Sequence, residues 1–241
     1  MSNRLSLNEL LKTRAPLDAE LAPFLKSHSA LGQVLQHPLV YFVPYFEQMA
    51  AYANAMLMEK KAALETAIEK KVWGRVVGLH ERPWRCDAFD KHADQMDDQT
   101  YWSLLAWIYT DSENIHENFE AWERLLCTDR PGRDAFMSAD EALFMAALPE
   151  RIRVFRGGTD RSVTDFSWSV DERVAAWFAQ RAVSLEGRSG PGVVLEGWVD
   201  KADVIGYKNN RDEAEIIVSP SHVDIVHAHR ERFAPTRPRR R

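Results

Sequence analysis

The spacing of apolar residues changes character at Pro149, and that change limits the folds open to the chain. Before it, apolar residues recur three or four apart, the period of one buried helix face. Phe46, Met49, Ala53, Leu57, Leu64, Ile68, Val72 and Val76 predict one long helix over 45–77, ended by Gly78 and Pro83. A second helix is expected over 100–109. Asp111 or Ser112 would cap a third, with Ile115, Phe119, Trp122, Leu125 and Leu126 as its apolar stripe. A turn at Asp129–Gly132 and a short helix over 139–148 complete this part.

After Pro149 the pattern shortens. Residues 151–156 (Arg-Ile-Arg-Val-Phe-Arg) alternate at first and run into Gly157-Gly158, which suits a half-buried strand ending in a turn. A helix over 171–182 and a glycine-rich loop over 186–192 follow, then strands over 193–199, 203–207, 215–218 and 223–226. Helices first and strands afterwards predict an α+β fold rather than a doubly wound sheet. The expected organisation is a helical N-terminal region, 1–149, packing on a compact mixed β core, 150–229. The segment 230–241 holds six arginines against one acid, Glu231, and is broken by Pro235 and Pro238, so it reads as a disordered basic tail. Such a tail either touches nucleic-acid phosphates or merely solubilises the terminus.

Composition narrows the class without naming a partner. A hydrophobic share of 45% with 28% charged residues is that of an ordinary soluble protein, and the net charge of −5 carries no whole-chain signal for nucleic acid or membrane. Cys86 and Cys127 make no disulfide framework, and Met-Ser-Asn-Arg opens no signal-type apolar stretch. The expectation is a cytoplasmic protein that does not enter a membrane. His80, His92, His116, His227 and His229 lack zinc-type spacing, so no metal is expected.

Three segments carry chemistry. In Val154-Phe155-Arg156-Gly157-Gly158, a guanidinium at a strand end precedes residues whose bare backbone lets a ligand approach. A surface arginine before a turn is the plainer reading. In Phe166-Ser167-Trp168-Ser169, one serine would cap the following helix, leaving the other for a ligand. In Asp212-Glu213-Ala214-Glu215-Ile216-Ile217-Val218, two glutamates two apart on a strand would share one side of the sheet. Their repulsion would raise one pKa, and folding alone does not require the pair. A solvated strand edge is the alternative.

Together, "VFRGG", "FSWSVDERVAAWFA" and "RDEAEIIV" resemble the arginine–serine–glutamate class of mono-ADP-ribosyltransferases, the class of the cholera-type and clostridial toxins and of many phage and bacterial transferases. The resemblance covers about a third of the chain, and Trp168 departs from the Ser-Thr-Ser pattern at its middle position. It implies an ADP-ribosyltransferase-like core with NAD as co-substrate and no metal. Arg156 would hold an NAD phosphate and the nicotinamide-side ribose, and Gly157 would offer backbone groups to the carboxamide. Ser167 would orient the catalytic Glu215, and Glu213 would engage the acceptor. Ser169 would join the NAD contacts, and Phe178 or Trp177 would wall the nicotinamide. The implied partner is a macromolecular acceptor, a protein arginine or a nucleic-acid base. An antitoxin or regulatory partner follows if the protein is an intracellular toxin of phage–host conflict. The alternatives are an NAD glycohydrolase and a non-catalytic module binding a nucleotide or a partner.

Overall fold

The computed structural model describes residues 7–112, 115–159, 165–187, 190–209 and 211–231. The fold is mixed α+β and divides into two compact units, one of residues 1–96 and 110–113, the other of 97–109 and 114–241.

The first unit corrects the reading of 1–149 as helical. After helix α1 (Leu7–Lys12), strands β1 (Leu25–His28), β2 (Gly32–His37) and β3 (Val40–Phe42) form an antiparallel sheet in that order. The strands are short, and Gly32, at φ +72, opens the second of them in a conformation that favours glycine. Leu35 and Val40 of these strands pack with Leu21, Tyr45, Ala53 and Leu57, and Leu25 and Phe42 lie against the same cluster. The predicted long helix is also broken. It forms α2 (Ala50–Glu69) and α3 (Trp73–Leu79), separated at Lys71, whose φ is +52. Lys71 N–H bonds the carbonyl of Ile68 at 3.0 Å and Val72 N–H that of Ala67 at 2.9 Å, a helix-terminating pair usually built around glycine. With lysine in that place, the apolar period runs through the break unmarked. Helix α4 (Arg85–Asp90) follows. Asp111 lies in the last turn of α5 (Asp98–Asp111), where Arg85 bonds its carboxylate and Arg82 approaches to 3.4 Å.

Three histidines of this unit have pKa values below the ordinary imidazole value, chiefly because burial disfavours the charged ring. His37 accepts from Leu39 N–H at 3.1 Å, His80 donates to the Val76 carbonyl at 2.8 Å, and His92 stacks on Trp73 at 5.3 Å. In the unfolded chain these rings take up protons near pH ~6.5, but in the folded chain only at lower pH. Acidification below that value therefore favours the unfolded state, and the stabilisation is complete above it. The melting temperature is expected to fall steadily as pH drops from about 7.5 to about 5. A flat profile over that window would refute the argument.

In the second unit, to which α5 belongs as far as Tyr109, helices α6 (Phe119–Leu126) and α7 (Ala139–Ala147) precede the sheet. Ser138 and Glu141 form a reciprocal capping box at the start of α7. Strands β4 (Arg151–Gly158), β5 (Ser167–Ser169), β6 (Gly192–Asp200), β7 (Val204–Lys208), β8 (Glu215–Val218) and β9 (Asp224–Glu231) assemble in the order β7-β8-β5-β4-β6-β9. Every neighbouring pair is antiparallel, which corrects the expected mixed β core. Helix α8 (Glu172–Leu185) crosses between the parallel strands β5 and β6, but β4 inserts between them, so no parallel pair forms. Strand β9 runs through Arg230 and Glu231, two residues into the segment read as a tail; 232–241 lie outside the described residues.

Glycines set how closely α8 lies on the sheet. A Cβ on Gly157 would stand 1.6 Å from the Ala175 carbonyl oxygen, and one on Gly192 would stand 2.5 Å from that of Ala179. Phe155 and Val194 pack there with Ala175, Ala176 and Ala179. A larger cluster holds Ile152, Val154, Trp168, Tyr207, Ile216 and Val218. No helix among the described residues is long and apolar enough to cross a membrane.

Candidate active site

The three segments singled out in the sequence lie on three adjacent strands. β5 is the centre of this group: Phe155 of β4 faces Ser169, and Ser169 in turn faces Glu215 of β8. Register thus places Ser167, Ser169 and Glu215 on one face, because paired residues and residues two apart share a side. Trp168 faces Ile216 and belongs to the apolar cluster, as alternation demands. Among the described residues its indole N–H is the one fully buried side-chain polar atom without a hydrogen-bond partner. That is the local consequence of tryptophan at the middle position, an unmet donor of the kind that costs about 1–3 kcal/mol.

Glu215 is buried, with 6% of its surface exposed. Burial pushes its carboxyl above the usual range. The Ser167 hydroxyl, the Arg211 guanidinium and the Tyr109 hydroxyl oppose the shift, while the Glu213 carboxylate adds to it. Tyr109 donates to Glu215 Oε1 at 3.4 Å. The Tyr109 phenol is itself held well above its ordinary pKa by burial, then by Glu215 and Asp165; Arg156 pulls the other way. Tyr109 therefore senses both the carboxylate and the guanidinium of the site. Its ring is fixed by edge contacts with Trp122 at 5.6 Å and Phe136 at 6.2 Å.

Arg156 is held by two neighbours. It donates to the Ser167 carbonyl at 2.5 Å and pairs with Asp165 at 2.9 Å, and the two side chains are only 14% and 16% exposed. Asp165 and Tyr109 escaped the sequence reading. Asp165 had one signal, its place two residues before Ser167. Tyr109 had another, a hydroxyl in an otherwise apolar stripe, which must find a partner once buried.

The two glutamates do not share a strand. β8 begins at Glu215, Glu213 precedes it, and Ala214 between them has φ +46, with Asp212 at +56. The pleat argument that put both carboxylates on one side is thereby corrected: a left-handed turn, not strand alternation, brings Glu213 near. The turn is clamped. Ala214 N–H bonds Asn209 Oδ1 at 3.0 Å, and the Ala214 carbonyl accepts from Val170 at 3.0 Å. The Ser169 hydroxyl donates to the Glu213 carbonyl at 2.7 Å and accepts from Asp171 N–H at 3.0 Å. Ser169 thus secures the acidic turn to the sheet, and Asp171, not Ser169, caps α8. Below the turn, Lys208 pairs with Glu141 at 3.1 Å and bonds the Phe136 carbonyl, and Glu141 also accepts from Asn209 N–H at 3.0 Å. Glu213 itself faces Arg211, at 3.4 Å.

The remaining predicted residues lie elsewhere in the fold. Gly157 is inside β4, paired with Val194 and pressed on α8, rather than in an open turn. Trp177 and Phe178 meet each other on α8 with ring centroids 4.9 Å apart, and Arg181 lies over Trp177 at 5.4 Å. Glu113 and Asn114, which follow α5 in sequence, lie outside the described residues. No group of three or more His, Cys, Asp or Glu side chains among the described residues is arranged to hold a metal ion. Compared with protein-family models, curated proteins and solved structures, the chain matches none.

Proposed function

We propose that the chain cleaves NAD between nicotinamide and ribose and transfers the ADP-ribose to a macromolecular acceptor, on an ADP-ribosyltransferase-like core. The observation that carries the reading is a buried carboxyl, Glu215, with the Tyr109 hydroxyl bonded to it at 3.4 Å and Ser167 on the same face of the adjoining strand. It sits on a strand adjoining the serine strand, which in turn adjoins the arginine strand.

Breaking that bond leaves an oxocarbenium-like ribose, as glycoside hydrolysis does. A carboxylate in a water-poor pocket stabilises the developing charge where it forms and needs no reorganisation to do so. Ser167 and Tyr109 would fix its direction, and Arg156 would bind an NAD phosphate, with Asp165 setting the guanidinium plane. Glu213, held on its own turn, would face the acceptor. A protein arginine or a nucleic-acid base fits that role, in a toxin-like setting within the cytoplasm.

The test is incubation of the purified protein with labelled NAD, with and without cell extract, followed by separate protease and nuclease digestion. Release of nicotinamide with label on a macromolecule is expected. Fast release unaffected by extract, with no label transferred, would make the protein a glycohydrolase. Neither binding nor turnover of NAD would leave a non-catalytic module.

Tyr109→Phe gives a finer check. The hydroxyl helps to lower the Glu215 pKa, so removing it raises that pKa further. If the ionised carboxylate does the chemistry, the acid limb of the kcat profile moves to higher pH. The ring contacts with Trp122 and Phe136 remain, so the fold should persist. An unmoved acid limb would show that the hydroxyl plays no part.

A further inference from the structure

We infer that Arg211 is a self-modification site: its own guanidinium is the first acceptor that the Glu213–Glu215 pair meets. The inference rests on the proposed NAD cleavage and adds to it a substrate within the chain. Arg211 Nε lies 3.4 Å from Glu213 Oε2, and the same guanidinium is close enough to Glu215 to pull on its ionisation. It is also 41% exposed, where Glu213 is 11% exposed, so a molecule approaching the acids from solvent reaches the arginine as well.

The turn keeps this arrangement in place. Asp212 N–H bonds the Asn209 carbonyl at 3.0 Å, Ala214 N–H bonds Asn209 Oδ1 at 3.0 Å, and Ser169 holds the Glu213 carbonyl. Arg211 lies inside the closed part of the turn, two residues from the acid it faces. Its encounter with an intermediate formed beside Glu215 is intramolecular and carries the high effective concentration of a tethered group.

The step balances as follows. The bond from ribose C1′ to the nicotinamide nitrogen breaks, and its electron pair leaves on nicotinamide, which departs neutral. One guanidinium N–H proton of Arg211 passes to Glu213, and the lone pair so freed forms the new N–C1′ bond. The products are nicotinamide, a proton released in turn from Glu213, and ADP-ribosyl-Arg211. Modification breaks the Arg211–Glu213 contact and sets a bulky anion over both acids, so the labelled molecule should no longer serve other acceptors.

The full chain incubated with NAD alone tests this. Mass spectrometry should find one ADP-ribose on the peptide carrying Arg211, together with resistance to trypsin at that residue. The fraction labelled per minute should not change on dilution, because the transfer is within one molecule. Arg211→Lys should remove that label. Glu213→Gln should slow labelling about a hundredfold, the usual scale of a lost general base. Nicotinamide release with label elsewhere or nowhere, or a labelling rate that falls on dilution, would overturn the inference and leave NAD cleavage standing. No nicotinamide release at all would overturn both.

Discussion

Replacing Glu215 by glutamine is expected to abolish NAD cleavage without unfolding the chain. The carboxyl is buried, burial favours its neutral form, and glutamine has that form's shape. Its amide oxygen can still accept from Tyr109, so that hydroxyl is not left an orphaned donor. What disappears is the negative charge. A preorganised group aimed at developing charge is worth on the order of 10²- to 10³-fold in rate, and a loss of that size is expected in nicotinamide release at saturating NAD. A melting temperature near wild type would show that the loss is chemical. Activity close to wild type in a folded Glu215→Gln protein would remove this residue from the mechanism and the proposed function with it.

Gly157→Ala is expected to have the largest effect on folding. The added methyl would stand 1.6 Å from the Ala175 carbonyl oxygen, and 2.6 Å from both the Ala175 carbonyl carbon and the Ala179 nitrogen. All three are backbone atoms of α8, so no side-chain rotation relieves the overlap. The helix must lift from β4 and lose its contacts with Phe155 and Val194. Overpacking by small groups costs roughly 1–3 kcal/mol where side chains can yield, and the expected cost here is at or above the top of that range. Urea denaturation would register it as a lower midpoint, or the variant would fail to accumulate in soluble form. An unchanged midpoint would mean that α8 does not lie so close to the strand. Arg156, next in the chain to this glycine, should lose its place beside Asp165 in the same variant.

Local rules carried the reading where each residue was answering to its neighbours in sequence. β8 spans the predicted 215–218, α7 starts at a serine followed three residues later by glutamate, and α8 starts after an aspartate. They failed where a distant part of the chain, or an unusual residue, decides the backbone. The β1–β3 sheet has strands too short for alternation to register, and Lys71 ends a helix in the conformation of a glycine. Within the site, Ser167 and Glu215 were legible as residue types, and their meeting depended on strand order. Tyr109 reaches Glu215 across 106 positions of sequence, which no local pattern encodes. Gly157 was read as a glycine that lets a ligand approach the backbone, and in the fold it lets α8 approach β4.

The left-handed Ala214 has a consequence for how such a site can change over time. A non-glycine residue in that conformation costs roughly 1–2 kcal/mol, and here it is offset by a methyl buried in the same cluster as Trp168 and Val218. The angle between the two acids is therefore set by one fixed dihedral and not by the weave of the sheet. Residues between Asn209 and Glu213 can be exchanged, changing what stands beside Glu213, while Glu215 keeps its pairing with Ser169. The acid that would break the substrate is thus held by the strand ladder, and the acid that would choose the recipient by the turn. On the proposed reaction, a lineage built on this turn could acquire new targets with the cleaving carboxyl left unchanged.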